Sequence, residues 1–325
     1  MPSQLPAHVE PAARLQDRDG LVETFSTRQN RLSKHKLLPK ICITVLFSSM
    51  LPVRGQLTWM AALPASRTSV SGSQSTALLP MSDPLNEGGW VIYEPLSDDF
   101  DGTHLDTSKW RTNIAGWPGR PPALFVDHDV EVSHGALQIT MRKEPVSSED
   151  AKMGFHDYTT GAVQSIASVL YGYFEVRAKA MKSAGSSAFL FADKDEKNWN
   201  EIDVFEMGGA LPANTRRVYM SVHNFKEDGI EVNRHSTKFI RMRSNVADEF
   251  HVYGLDWSPD SLDFYIDGRL RRHLPNTSWH IPANMVFDAE TQVDWIGMPK
   301  DSDLPSVFLI DYVRAWKKGP QDAAH

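Results

Sequence analysis

Residues 200–209 read NEIDVFEMGG, which sets three acids, Glu201, Asp203 and Glu206, among isoleucine, valine and phenylalanine. Side chains on a strand alternate between faces, so Glu201 and Asp203 share one side, and in a regular strand Glu206 falls on the other. One β-bulge at about Val204-Phe205 adds a residue and returns Glu206 to the side of its partners. Ile202 and either Val204 or Phe205 then face a core. At the usual strand rise the two glutamates stand roughly 10 to 13 Å apart at Cα, close enough for carboxyl groups about 5 Å apart. That separation suits a retaining displacement at a glycosidic centre, with its roughly 5 to 5.5 Å between acid and nucleophile, better than the wider inverting arrangement. Asp203 between them adds a like charge that raises the acid and a hydrogen bond that holds the nucleophile. A solvated acidic face and a Ca²⁺ site are the other uses of such a row. Interleaved apolar residues and the nearby Trp199 weigh against the solvated face.

Three further groups fit around that row. Trp199 stands two residues before Glu201 and is expected on the same face, where it can stack on a sugar. Trp117 and Arg120 lie in a Pro/Gly-rich loop, where an exposed ring beside a guanidinium can bind sugar hydroxyls or sulfate. His223 shares a face with Ser221 on a separate expected strand and points either into a groove or into the core.

Strands must position these residues. Residues 130–142 alternate, break at His134-Gly135 and alternate again, a hairpin with its turn in place. Residues 262–270 do the same around Asp267-Gly268. Residues 161–168, 172–180, 186–191, 201–206, 217–224, 251–257, 261–266 and 307–316 also read as strands, and helical periodicity is scarce. Many short strands over this span predict an all-β fold, a two-sheet β-sandwich of jelly-roll type with an open substrate groove.

Composition narrows the function further. The 325 residues carry a net charge of −7, which argues against nucleic acid or anionic lipid as partner. No apolar run reaches the roughly 18 to 20 residues of a membrane span. The one cysteine, Cys42, rules out a disulfide framework and a cysteine-rich metal site. Nine tryptophans lean toward a surface that stacks against sugar rings. Residues 1–83 read as a leader: a basic then apolar signal-like segment at 31–66, followed by a Ser/Thr-rich linker. A domain at 84–318 and a short tail at 319–325 follow. The expected location is secreted or periplasmic.

The acidic triplet resembles the E-x-D-x-x-E signature of glycoside hydrolase family 16, and most closely its β-agarase and β-porphyranase branch. WPGRPPALF at 117–125, YTTGAVQS at 158–165, YGYFEVRAKAM at 171–181 and SAGSSAFLF at 183–191 follow the branch in order. So do VFDAETQVDWIGMP at 286–299 and IDYVRAWK at 310–317, and the similarity spans about 90–318. The bulged spacing differs from the tighter E-x-D-x-E of other members. The resemblance implies a jelly roll, with Glu201 as nucleophile, Asp203 as assisting acid and Glu206 as general acid/base. It places Glu290 and Trp295 in a segment that reaches the groove. Asp311, with the Gly135 backbone, resembles a structural Ca²⁺ site, and the chemistry itself requires no cofactor. Leu190 stands where many relatives carry an aromatic.

The implied activity is endo-hydrolysis of β-1,4-galactosidic bonds in agarose or porphyran, agarase being preferred, by a monomer acting on a polysaccharide. A family 16 hydrolase of carrageenan or β-1,3-glucan is the alternative, with basic groove residues such as Arg120 favouring sulfated chains. A non-catalytic carbohydrate-binding jelly roll is the second.

Overall fold

The computed structural model describes residues 78–319; the signal-like segment, Cys42 and most of the expected linker lie outside the described residues. Both expected hairpin turns form. His134 and Gly135 have φ of 54° and 71°, and Asp267 and Gly268 have 50° and 70°, the left-handed pair whose twist matches the flanking strands. Glycine is doubly required at 268, where a Cβ would sit 2.8 Å from the Met81 carbonyl oxygen.

In chain order the strands are β1 (Trp90–Ile92), β2 (Trp110–Arg111), β3 (Ala123–Phe125), β4 (Val130–Ser133), β5 (Ala136–Lys143) and β6 (Tyr158–Thr160). Then come β7 (Ala162–Val169), β8 (Gly172–Lys179), β9 (Ser186–Lys194), β10 (Trp199–Gly208), β11 (Arg217–Glu227) and β12 (Ile230–Arg241). The last are β13 (His251–Trp257), β14 (Ser261–Ile266), β15 (Arg269–Pro275), β16 (Ala283–Asp288) and β17 (Ser306–Lys318). One sheet runs β12-β11-β10-β9-β16-β7-β2; the other runs β15-β14-β13-β8-β17-β5-β6-β3, with β1 on β17 and β4 on β5. This is the all-β two-sheet sandwich expected from the strand pattern.

Between the sheets lies one aromatic-rich core. Phe189 and Phe287 of the seven-stranded sheet stack at 4.9 Å, and Phe191 meets Phe174 of the opposite sheet at 4.7 Å. A smaller cluster, Trp90, Tyr173 and Trp316, is buried apart from this core. The segment before β1 lies against it: Trp316 Nε1 donates to the Leu78 carbonyl at 2.9 Å, and Ser82 Oγ to Tyr173 at 2.8 Å. The Met81 amide donates to the buried Glu175 at 2.7 Å. Residues 78–82, expected in the leader, therefore pack with the domain.

Candidate active site

Strand β10 carries the acids, and its register shows how. On one side Asp203 pairs with Leu190 and Phe205 with Phe189, so Val204 is the extra residue. On the other, Asp203 pairs with Ser221 and Glu206 with Tyr219, three steps against two. The bulge falls where the spacing required it. Ile202, Val204, Phe205 and Met207 all join the core, leaving the opposite face to Glu201, Asp203 and Glu206. Phe205 anchors the bulge by packing at 4.4 Å on Tyr253 and edge-on at 6.1 Å on Phe308, both from the other sheet.

Although on the outer face, the acids are recessed: Asp203 is 1% exposed, and Glu201 and Glu206 are half-buried. Burial is the main cause that lifts all three. It pushes Glu201 up to about 8, with help from the charge of Asp203. Burial likewise raises Asp203 to about 7, against a hydrogen bond from Glu201 and the charge of Arg272. Glu206 is held well above its ordinary value by burial, then by the charges of Asp203 and Glu201. Carboxyls this close cannot all ionise, so the row keeps a proton near neutrality. A proton donor and an ionised neighbour can therefore coexist.

His223 lies opposite Glu201 and sets Nε2 3.2 Å from Asp203 Oδ2, so it points toward the acids rather than into the core. Glu201, Asp203 and His223 also group closely enough to hold a metal ion. Trp279, from the β15–β16 connection, donates Nε1 to the carbonyls of Glu201 at 2.9 Å and His223 at 3.2 Å, tying β10 to β11 beneath the site.

Trp117, Arg120 and Glu290 form one unit. Glu290, 4% exposed, accepts from Trp117 Nε1 at 2.6 Å and from Arg120 Nε at 2.8 Å. The Arg120 guanidinium sits 5.5 Å from the Trp117 ring centroid. Burial alone would lower the Arg120 pKa, but the charge and hydrogen bond of Glu290, together with the charges of Asp288 and Glu206, more than offset this and the value is raised. The unit belongs to the site electrostatically, since the Glu290 charge lifts both Glu201 and Glu206. Trp295 is half-buried and meets the ring of Tyr219, the partner of Glu206, edge-on at 4.8 Å. Trp199 reaches the same face, where its ring packs on Phe225 at 4.4 Å and under Lys194 Nζ at 4.0 Å. Phe225 in turn stacks on His223 at 5.3 Å. Leu190 is the β9 neighbour of Asp203.

Asp311 lies apart, on β17, where Arg177 Nη1 holds its carboxylate at 2.6 Å. The groupings of three or more potential metal-ligand side chains among the described residues are elsewhere: the triad above and His128, Asp129 and Glu144. Arg177 engages Oδ2 of the half-exposed Asp311 carboxylate.

The sequence pattern missed a fourth carboxyl, Asp288. It pairs with Ala188, as Glu206 does, so the two acids stand in one row across β9. Burial, then the charges of Glu290, Glu206 and Glu201, hold Asp288 well above its ordinary value. Its signal was the spacing to Glu290, two residues on and so one alternation along. Tyr219, Phe225 and Trp279 were also missed; nothing local distinguishes them from core aromatics.

Similarity to known proteins agrees with this geometry. The sequence model for the GH16 domain of β-porphyranases A–D matches residues 90–318. The chain is 32% identical to β-porphyranase E of Zobellia galactanivorans over 262 residues, 72% of this chain and 90% of that one. It is 29% identical to β-porphyranase B of the same organism over 252 residues, 70% of this chain and 85% of the other. The crystal structure of that porphyranase B superposes with a TM-score of 0.63 at 26% identity, covering 70% of this chain and 92% of that one.

Proposed function

The chain belongs to glycoside hydrolase family 16, and from that premise we propose that it is an endo-acting, retaining hydrolase of β-galactosidic bonds in an agar-type red-algal galactan. The observation that carries this is the bulge at Val204, which sets three recessed carboxyls on one face. Glu201 attacks the anomeric carbon while Glu206 gives its proton to the departing glycosidic oxygen. The C–O bond breaks and a glycosyl ester forms on Glu201. Glu206, now ionised, takes a proton from water, whose oxygen attacks the same carbon and releases Glu201. Asp203 holds the Glu201 carboxyl and, with His223, shares its charge changes. None of these steps requires a cofactor.

Of the two polymers, porphyran has the stronger support, since the matching family model and both relatives above are porphyranases. Such a polymer does not cross membranes, which supports action outside the cytoplasm. The test is reducing-end release from porphyran, agarose, κ-carrageenan and laminarin, with Glu201→Gln as control and the anomer of the first product followed by proton NMR. Release of the β-anomer from an agar-type galactan, abolished by Glu201→Gln, is expected. An α-anomer at first appearance, or turnover that survives the substitution, overturns the mechanism. Binding without hydrolysis on all four points instead to a lectin.

A further inference from the structure

Arg217 and Arg241 lie directly opposite one another on β11 and β12. They share a sheet face with the pair Tyr219 and Phe239, one alternation nearer Glu206. Arg217 is placed by its neighbours: Cζ lies 4.4 Å from the Phe239 ring centroid, and Nη1 is 3.3 Å from the Tyr219 hydroxyl. Arg241 is exposed. Neither Arg217 nor Arg241 has a carboxylate within 4.0 Å, as is true of several other arginines, but among the described strand pairings these two are the arginines set directly opposite each other.

Like charges directly opposite on neighbouring strands repel, so this pair has electrostatic reason to accept an anion. An oxyanion between them would relieve the repulsion and match both planar forks. Beside them, Phe239 is 48% exposed and Trp295 is half-buried against Tyr219, surfaces suited to a sugar ring. Arg120 is less free to do this, because the buried Glu290 already neutralises it.

Resting on the galactan-hydrolase reading, we propose that Arg217 and Arg241 form a subsite for the sulfate half-ester of a galactan residue bound across β11 and β12, outward from Glu206. The experiment measures kcat/KM on porphyran and on its chemically desulfated form, for the wild type, Arg241→Ala, Arg241→Lys and Arg234→Ala, with thermal unfolding of each. Arg241→Ala should lower the sulfated-to-desulfated ratio about tenfold, the loss of one charge-assisted contact. Arg241→Lys, which keeps the charge but not the fork, should fall between. Arg234, on the other face of β12 and paired with Glu227, should leave the ratio unchanged. Hydrolysis by the wild type with a ratio unmoved in Arg241→Ala overturns this subsite alone. No galactan hydrolysis by the wild type overturns the functional reading and the subsite with it.

Discussion

Glu290 is the residue whose replacement most directly tests how the site is tuned. It lies two residues beyond Asp288, which stands two strands from Glu206. Two inter-strand spacings and two residue rises place the carboxylates roughly 12 Å apart. At an effective dielectric constant of about 20, unit charges at that distance interact by about 1.4 kcal/mol, or about one pKa unit. Glu290→Gln removes that charge and keeps an acceptor for Trp117 or Arg120. It also releases the Arg120 charge, which itself interacts with Glu206. Both effects favour the ionised forms of Glu201 and Glu206, so both should titrate at lower pH. The acid limb of kcat/KM reports loss of a proton from the nucleophile, and the alkaline limb reports loss from the acid. The whole bell should therefore move about one unit toward acid, measured by reducing-end release across buffers of constant ionic strength. A bell that stays in place, or moves toward alkali, would show that Glu290 does not act on the acids through its charge.

Three other outcomes are expected. Glu206→Gln should lose about 10²- to 10⁴-fold in turnover on polymer, and much less on an aryl glycoside whose leaving group needs no protonation; equal losses on both would remove Glu206 from the proton-donor role. Burial raises Glu201 from an ordinary 4.5 to about 8, so its ionisation costs the folded state stability that is fully retained below about pH 4.5 and lost as pH rises through about 8. Glu201→Gln should thus match wild-type stability in acid and exceed it increasingly toward pH 8 in chemical denaturation, and a pH-independent difference would contradict this. Beginning the chain at Pro84 deletes the partners of Trp316, Tyr173 and Glu175. It should cost on the order of 2 to 4 kcal/mol, and a melting temperature equal to that of a chain retaining residues 78–83 would show that the segment contributes nothing.

The strands that alternate cleanly were legible, because one face is core and the other is not. β13 and β14 were expected at the boundaries they have. β12 was not expected: ten of its twelve residues are exposed, so a sheet-edge strand with water on both sides leaves no alternating signal. β16 escaped for the opposite reason, since nearly all of it is buried and an unbroken apolar run has no phase. The catalytic row was readable because carboxyls among apolar residues are costly and therefore conspicuous. The pairing of Trp117 and Arg120 with Glu290 was not, because about 170 residues of chain separate them. The ion pair of Asp311 with Arg177 was hidden for the same reason, since more than a hundred residues separate the two.

The bulge on β10 also bears on how such a site can change over generations. A one-residue insertion or deletion in a strand ordinarily turns everything beyond it to the wrong face. Here the inserted residue is absorbed locally, so removing Val204 would leave Glu201, Asp203 and Glu206 in strict alternation and all still on one side. Shortening the motif to the tighter spacing thus needs no reversal of the strand beyond it, and its main toll is one buried valine. Long and short versions of the triplet are neighbours separated by a single codon, and one sandwich can pass between them without ever burying a catalytic acid.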